Sequence, residues 1–243
     1  MQPLTAKRAL ITGGSAGLGA TIARQFVEKG IKCVINYSSN TPRAEELAKS
    51  LGEGNYAVQG DVGTKGGCEA LTAVAKLGGL DILVSNVGWT KPAQFNDIYA
   101  LADEDWDKTW IYNVKAHLWL LQAAKPYLEV NEHGGSFIVT SSVAGVKPSG
   151  SSMAYSVTKA SANHLVRCLA RASAPKIRVN SVSPSMILTD WSARFGEEKL
   201  KKHVASNALQ KMTDLDDVAA LYTMLAANES ITGENFNVAS TVL

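Results

Sequence analysis

The sequence predicts a single doubly wound α/β domain, with a central parallel sheet of about seven strands flanked by helices. Three observations predict it. Short β-branched apolar runs alternate with amphipathic stretches along the whole chain, which is the rhythm of repeated β-α units. The first apolar run leads straight into a glycine-rich turn and then an amphipathic stretch. No linker, internal repeat or composition shift divides the 243 residues, a length that one α/β domain reaches. The domain is therefore expected to span residues 1–243.

The elements run in order along the chain. Arg8–Thr12 reads as a buried strand. From Gly17 to Lys29, Leu18, Ile22 and Phe26 recur every fourth residue, so one helical face packs on the sheet, and Gly30 stops that helix. Cys33–Tyr37 is the second strand. Thr41 and Pro42 open a helix to about Leu51, with threonine as N-cap and proline at the first helical position. Strands at Tyr56–Gln59, Asp81–Ser85, Ser136–Thr140 and Ile177–Ser181 alternate with helices near Lys65–Leu77, Glu104–Leu128 and Met153–Ala172. A helix near Leu215–Ala227 and a short strand at Asn235–Val238 close the chain. Between Pro184 and Met212 no strand is evident. An insert at the C-terminal end of a strand sits where such sheets bind ligands, so 184–212 is expected to cover a substrate.

Composition narrows the function. Charged residues make up 19% and the net charge is +2, with no basic block, so no nucleic-acid partner is expected. No long apolar span and no leader-type segment is evident, and the ending Ser240-Thr241-Val242-Leu243 is not a peroxisomal signal, so a cytoplasmic protein is expected. Cys33, Cys68 and Cys168 lie far apart and read as reduced thiols. His117, His133, His164 and His203 are scattered, so no metal site is expected. Trp106, Trp110 and Trp119 share helical spacing and read as packing or an oligomer contact.

The glycine-rich turn is Thr12-Gly13-Gly14-Ser15-Ala16-Gly17-Leu18-Gly19. Between a first strand and a helix, glycines permit a tight turn and close approach to a pyrophosphate. The helix N-terminus then offers free N–H groups to the phosphates. This is the dinucleotide end of a Rossmann-type fold, with Gly13, Ser15, Gly17, Leu18 and Gly19 as cofactor-binding candidates. The second strand ends in Asn36-Tyr37-Ser38-Ser39-Asn40, with no carboxylate to repel a 2′-phosphate. Asn36, Tyr37 and Ser38, with Arg43 as a cationic contact, favour NADP(H) over NAD(H). Asp61 and Val62 come after the third strand, placed either to meet the adenine or to cap the next helix.

Tyr155 and Lys159 are four residues apart, thirteen after Ser142. On a helix they share a face. A neighbouring ammonium is expected to lower the phenol pKa from roughly 10, fitting it for proton transfer.

Together these motifs resemble the short-chain dehydrogenase/reductase family over nearly the whole chain, with the 3-oxoacyl-carrier-protein reductase-like group and its ketoreductase relatives nearest in flavour. The resemblance rests on the glycine loop, Asp61, Asn86-Val87-Gly88, Asn113, Ser142 and Tyr155-x-x-x-Lys159. It implies an oxidoreductase that reduces a ketone to a secondary alcohol by hydride transfer. Tyr155 would be the general acid/base, with Lys159 tuning it and binding the nicotinamide ribose. Ser142 would hold the substrate oxygen, and Asn113 a relay water. Asn86 and Gly88 would floor the cofactor site, and Pro184, Ile187 and Thr189 would border the carboxamide. Ser142 is preferred to Ser141 because strand alternation sends the two to opposite faces. Trp89, Met153, Trp191 and Phe195 fall in the loops around the substrate, which points to an apolar small molecule.

Three departures stand out. Ser85 precedes Asn86-Val87-Gly88 where the family usually has Asn-Asn-Ala-Gly. Ser185 comes after Pro184 where the family usually has glycine. The C-terminus lacks the usual Asp-Gly-Gly. The resemblance implies a homo-oligomer, a tetramer or a dimer through the two long helices. The competing expectation is a cofactor-binding scaffold or sensor without turnover, or a coupled non-redox reaction on the same fold.

Overall fold

The computed structural model describes residues 2–75, 79–193 and 195–243. Seven parallel strands form one sheet: β1 (Arg8–Ile11), β2 (Lys32–Tyr37), β3 (Tyr56–Gln59), β4 (Ile82–Ser85), β5 (Gly135–Thr140), β6 (Ile177–Pro184) and β7 (Asn235–Val238). Their spatial order is β3-β2-β1-β4-β5-β6-β7. The central strands are buried along nearly their full length. Parallel strands covered on both faces read as unbroken apolar runs, which is why they stand out in the sequence. β6 runs three residues beyond the expected Ser181, because Val182–Pro184 pair with β7.

Helices cover both faces. On one, α1 (Gly17–Glu28) packs against α9 (Leu215–Ala227), and Ile22, Phe26 and Tyr222 join Ile11, Ile35 and Val84 in one core. On the other, α3 (Lys65–Ala75), α5 (Ala116–Glu129) and α6 (Met153–Ser173) close over Leu10, Leu83, Phe137 and Val179. The expected end of α3, at Lys76 and Leu77, lies outside the described residues.

One local correction and two refinements emerge. α2 (Thr41–Ser50) is capped by Asn40, whose Oδ1 accepts the Arg43 N–H at 3.1 Å. Thr41 is therefore the first helical residue; asparagine one position earlier takes the capping role. The expected long helix is present as one continuous run, α4 (Asp103–Trp110) leading through a π turn over Ile111–Lys115 into α5. The insert 184–212 holds two short helices, α7 (Asp190–Ala193) and α8 (Glu197–Ser206). α8 buries no residue and carries i,i+4 pairs Glu197–Lys201 and Glu198–Lys202.

The topology fixes where a ligand enters. The chain steps outward from β1 to β3, then crosses to place β4 on the other side of β1. Ile11 pairs with Val84, so the loops after β1 and β4 leave the sheet side by side. That reversal opens a crevice at the carboxyl ends of the strands.

Candidate active site

A cavity of about 900 Å³ occupies this crevice, within the size that holds a cofactor-sized molecule. The glycine loop forms one end, through Gly13, Ala16, Gly17 and Leu18. Gly13 and Gly17 have φ of +59° and +48°, a left-handed region that favours glycine. A Cβ on Gly19 would lie 2.4 Å from the Gly13 carbonyl oxygen. No side chain caps α1, whose N-cap is Ala16. Its first-turn N–H groups therefore lack a capping acceptor, and Ala16 and Gly17 line the cavity. These features fit a dinucleotide pyrophosphate.

The end of β2 corrects one expectation. Asn36 is 1% exposed and lies outside the cavity lining. Its Oδ1 accepts the Gly13 N–H at 3.3 Å and its Nδ2 donates to the Gly60 carbonyl at 3.0 Å. Asparagine here braces the loop from inside the sheet, so it is not positioned at an adenosine ribose. The cavity residues in this region are Ser38 and Arg43. Arg43 Nη1 pairs with Asp190 Oδ2 at 3.0 Å. Tyr37 is buried, and Val62 lies in the core beside Leu71. Asp61 Oδ1 accepts from the Gly63 N–H at 2.8 Å and from the Tyr112 hydroxyl at 3.0 Å. Ser15, Gly19, Tyr37, Asp61 and Val62 do not line the cavity.

The middle of the cavity collects the proton-transfer candidates. Tyr155 and Lys159 project from α6, and Ser142 stands just beyond β5; all three line the cavity. Ser142 is near enough to Tyr155 to favour its ionised form, and its Oγ donates to the Pro184 carbonyl at 3.5 Å. Ser142 Oγ also accepts the Ala144 N–H at 3.2 Å. Ser141 instead directs its hydroxyl to the Lys159 carbonyl at 3.3 Å, so the two serines diverge as strand alternation requires. Lys159 is 3% exposed. Its Nζ donates to the Thr140 carbonyl at 2.8 Å and lies 5.6 Å from the Tyr155 ring centre.

Burial sets the protonation of this pair. It pushes the Tyr155 phenol up to about 12, against a smaller lowering from Ser142. It brings the Lys159 ammonium down to about 8. The expected lowering of the phenol by its lysine is therefore not found. Desolvation disfavours the charged form of both groups, and the ammonium is directed at a carbonyl rather than at the phenol oxygen. The Tyr155 phenol is thus held in its neutral form at neutral pH.

Asn113 sits in the π turn and is fully buried. Its Oδ1 accepts the Trp89 N–H at 2.8 Å, and its Nδ2 donates to the Trp89 carbonyl and the Thr158 hydroxyl, both at 3.0 Å. The carboxamide is thus committed to protein partners, and Asn113 does not line the cavity. Asn86 ties three strands together: its Nδ2 donates to the Thr12 and Gly13 carbonyls, and its Oδ1 accepts from Thr140 Oγ1 at 3.0 Å. Asn86 and Gly88 line the cavity, as do Pro184, Ile187 and Thr189. Thr140 is a residue that sequence reasoning misses. Its carbonyl anchors Lys159, and its hydroxyl meets the buried Tyr222 hydroxyl at 2.7 Å. A backbone carbonyl leaves no side-chain signature; its place at a strand end is the one available signal.

Of the four substrate-loop candidates, Trp191 and Phe195 line the cavity and Trp89 and Met153 do not. The Trp89 ring lies 4.8 Å from the Lys108 ammonium, and its backbone brackets Asn113. Lys147 and His203 line the cavity too, unanticipated from sequence. Among the described residues no His/Cys/Asp/Glu cluster could hold a metal ion, and no helix is long and apolar enough to cross a membrane.

Comparison with known proteins agrees with this geometry. The family model described as Enoyl-(Acyl carrier protein) reductase matches residues 13–240. The human protein named Dehydrogenase/reductase SDR family member 4 is 34% identical over 242 residues, covering 96% of this chain and 86% of that protein. The 3-oxoacyl-[acyl-carrier-protein] reductase FabG of Staphylococcus aureus is 30% identical, covering 96% of both chains. Among solved structures, a short chain dehydrogenase from Burkholderia cenocepacia in complex with NADP superposes with a TM-score of 0.89, 31% identity and 99% of both chains covered. The Pseudomonas aeruginosa RhlG/NADP active-site complex gives 0.90 at 26% identity, covering 99% of this chain and 98% of that one. The glycine loop, the Ser142–Tyr155–Lys159 cluster and these matches place the chain in the short-chain dehydrogenase/reductase family, as an NAD(P)-dependent oxidoreductase acting on C=O and CH–OH groups.

Proposed function

We propose that the protein is an NADP(H)-dependent carbonyl reductase that converts a ketone to a secondary alcohol. The observation that carries this reading is one cavity whose wall holds both the glycine loop and the Ser142–Tyr155–Lys159 cluster. When bound, the nicotinamide supplies the hydride; the protein orients and protonates. The Ser142 and Tyr155 hydroxyls hold the substrate oxygen, where negative charge develops as the carbonyl is reduced. The neutral Tyr155 phenol donates the proton to that oxygen. Lys159, fixed by the Thr140 carbonyl, favours the phenolate left behind and would hold the nicotinamide ribose when the cofactor is bound. Asn113 acts through the backbone of its π turn, where a relay water is held, since its carboxamide already has its partners.

The preference for NADP(H) rests on the neutral end of β2 and on Ser38 and Arg43 in the cavity wall. The 184–212 segment acts as a substrate cover, with Trp191 and Phe195 as its apolar inner surface. The protein assembles as a homo-oligomer through α4–α6, where Trp110 and Val157 are exposed. Its three free cysteines suit the reducing cytoplasm. The test is NADPH and NADH oxidation across a panel of acyl thioesters, steroids, polycyclic ketones and simple diketones. NADPH oxidation by at least one class is expected. Cofactor binding without turnover on any of them would favour the scaffold reading, and a clear NADH preference would overturn the cofactor assignment.

A further inference from the structure

The departure at Ser185 takes on a meaning in three dimensions. Ser185 is 7% exposed and lines the cavity. Its backbone is fixed, with the N–H donating to the Val238 carbonyl at 2.8 Å. Its hydroxyl lies 3.4 Å from Nε2 of His203, which α8 lowers into the same cavity. Lys147 reaches the cavity from the segment joining Ser142 to Tyr155, and is close enough to His203 to depress its protonation. A lysine and a histidine thus face one space, with a buried hydroxyl between the strand end and the imidazole.

Nothing on the described walls neutralises this group. Asp190 is the one carboxylate among the described lining residues, and it pairs with Arg43 beside the glycine loop. Lys199 adds a further cation at the rim, 5.0 Å from the centre of the Phe195 ring. A cofactor phosphate would lie at the glycine loop, whereas Lys147 follows Ser142 along the chain and His203 meets Ser185 just past the end of β6. Converging donors without a counter-charge form an anion site.

The geometry points to a ketone substrate that carries a carboxylate, held by Lys147, His203 and Ser185 while Trp191 and Phe195 cover its apolar part. This rests on the reductase reading and names its substrate class. Burial and Lys147 both push the His203 pKa down, so at the contact itself Lys147 carries the charge, with His203 and Ser185 as polar partners. That matches a monoanion better than a phosphate dianion.

The test uses matched pairs: 4-oxo-4-phenylbutanoate against its methyl ester, with NADPH, in the wild-type protein and in Lys147→Met. The wild type is expected to favour the acid in kcat/KM by roughly 10- to 100-fold, the range for a hydrogen bond to a charged group. Lys147→Met should collapse the acid-to-ester ratio, chiefly through KM, and Ser185→Gly should lower it less. Lys147→Gln serves if the methionine variant does not fold. In parallel, calorimetry compares 4-phenylbutanoate with 4-phenylbutanamide, neither reducible, on the NADPH-loaded protein. Reduction of neutral ketones with no preference for acid over ester, or an acid preference intact without Lys147, overturns the anion site and leaves the reductase. No turnover of any ketone, with carboxylate binding that Lys147→Met abolishes, keeps the anion site and removes the reductase.

Discussion

The proton-transfer end of the cavity and the 184–212 segment differ in how deeply their residues are buried. At the first, Asn113 and Lys159 are buried and Asn86 and Thr140 half-buried, and all four are tied to protein partners. At the second, α8 buries nothing, and Trp191 and Leu188 are exposed. Buried polar groups must be satisfied, so a change in the first region leaves orphaned donors or acceptors. In the second region buried polar groups are confined to Ser185, Ser192 and Asn207, and α8 carries no such penalty, so its surface can be rewritten for a new substrate while the chemistry stands.

The contrast is broken most directly at Tyr155. Tyr155→Phe should lower kcat by about 10²–10⁴-fold, the range for a lost general acid, with NADPH affinity unchanged in a fluorescence titration. Turnover near the wild-type rate would remove the role assigned to the phenol. Gly19→Ala comes next, because its Cβ has the Gly13 carbonyl 2.4 Å away. Overpacking of this kind costs about 1–3 kcal/mol; a lower Tm together with weaker NADPH binding is expected.

His117 gives a pH test of the same buried region. It is fully buried, its Nδ1 lies 2.7 Å from Ser85 Oγ, and its Nε2 has no partner. Burial first, then Lys159, hold its pKa down to about 3, from 6.5. The folded state therefore needs the neutral ring. Stability from this source is complete above pH 6.5 and falls as the pH drops toward 3, by about 1.4 kcal/mol per unit at most. His117→Gln should flatten that fall in urea unfolding between about pH 6.5 and 5. An unchanged slope would show that other groups dominate acid unfolding. The smallest effect is expected in the exposed segment: Trp191→Ala should raise KM for aromatic ketones a few-fold with kcat nearly constant. Trp89→Ala should leave substrate selectivity alone, because its ring lies against Lys108. Equal effects from the two would erase the distinction drawn between their loops.

Much of the first region is legible in the sequence. Its strands are apolar runs, and the spacings of the glycine loop and of Tyr155 and Lys159 carry their own geometry. What escapes is contact through the backbone and choice of direction. Alternation places Asn36 on a strand face but does not say that its amide turns inward to Gly13. Nothing marks Thr140, whose contribution is largely a carbonyl. The spacing of Tyr155 and Lys159 leads to the wrong direction for the phenol, because proximity along a helix says nothing about burial, and burial is the larger influence. His203 in the second region and Lys147 outside it are far apart along the chain and come to one cavity only once α8 is docked.

The π turn at Ile111–Lys115 has a consequence for how this site tolerates change in length. It accommodates one residue more than a regular α-helix would, and that surplus aims Asn113 at Trp89 and Thr158. Deleting a single residue in the turn would let it close into a regular α-helix, with α4 and α5 still in phase. Asn113, carried on the widened turn, would then be swung off Trp89 and Thr158 even with its side chain kept. At this point the active site depends on how many residues the helix contains as much as on which they are.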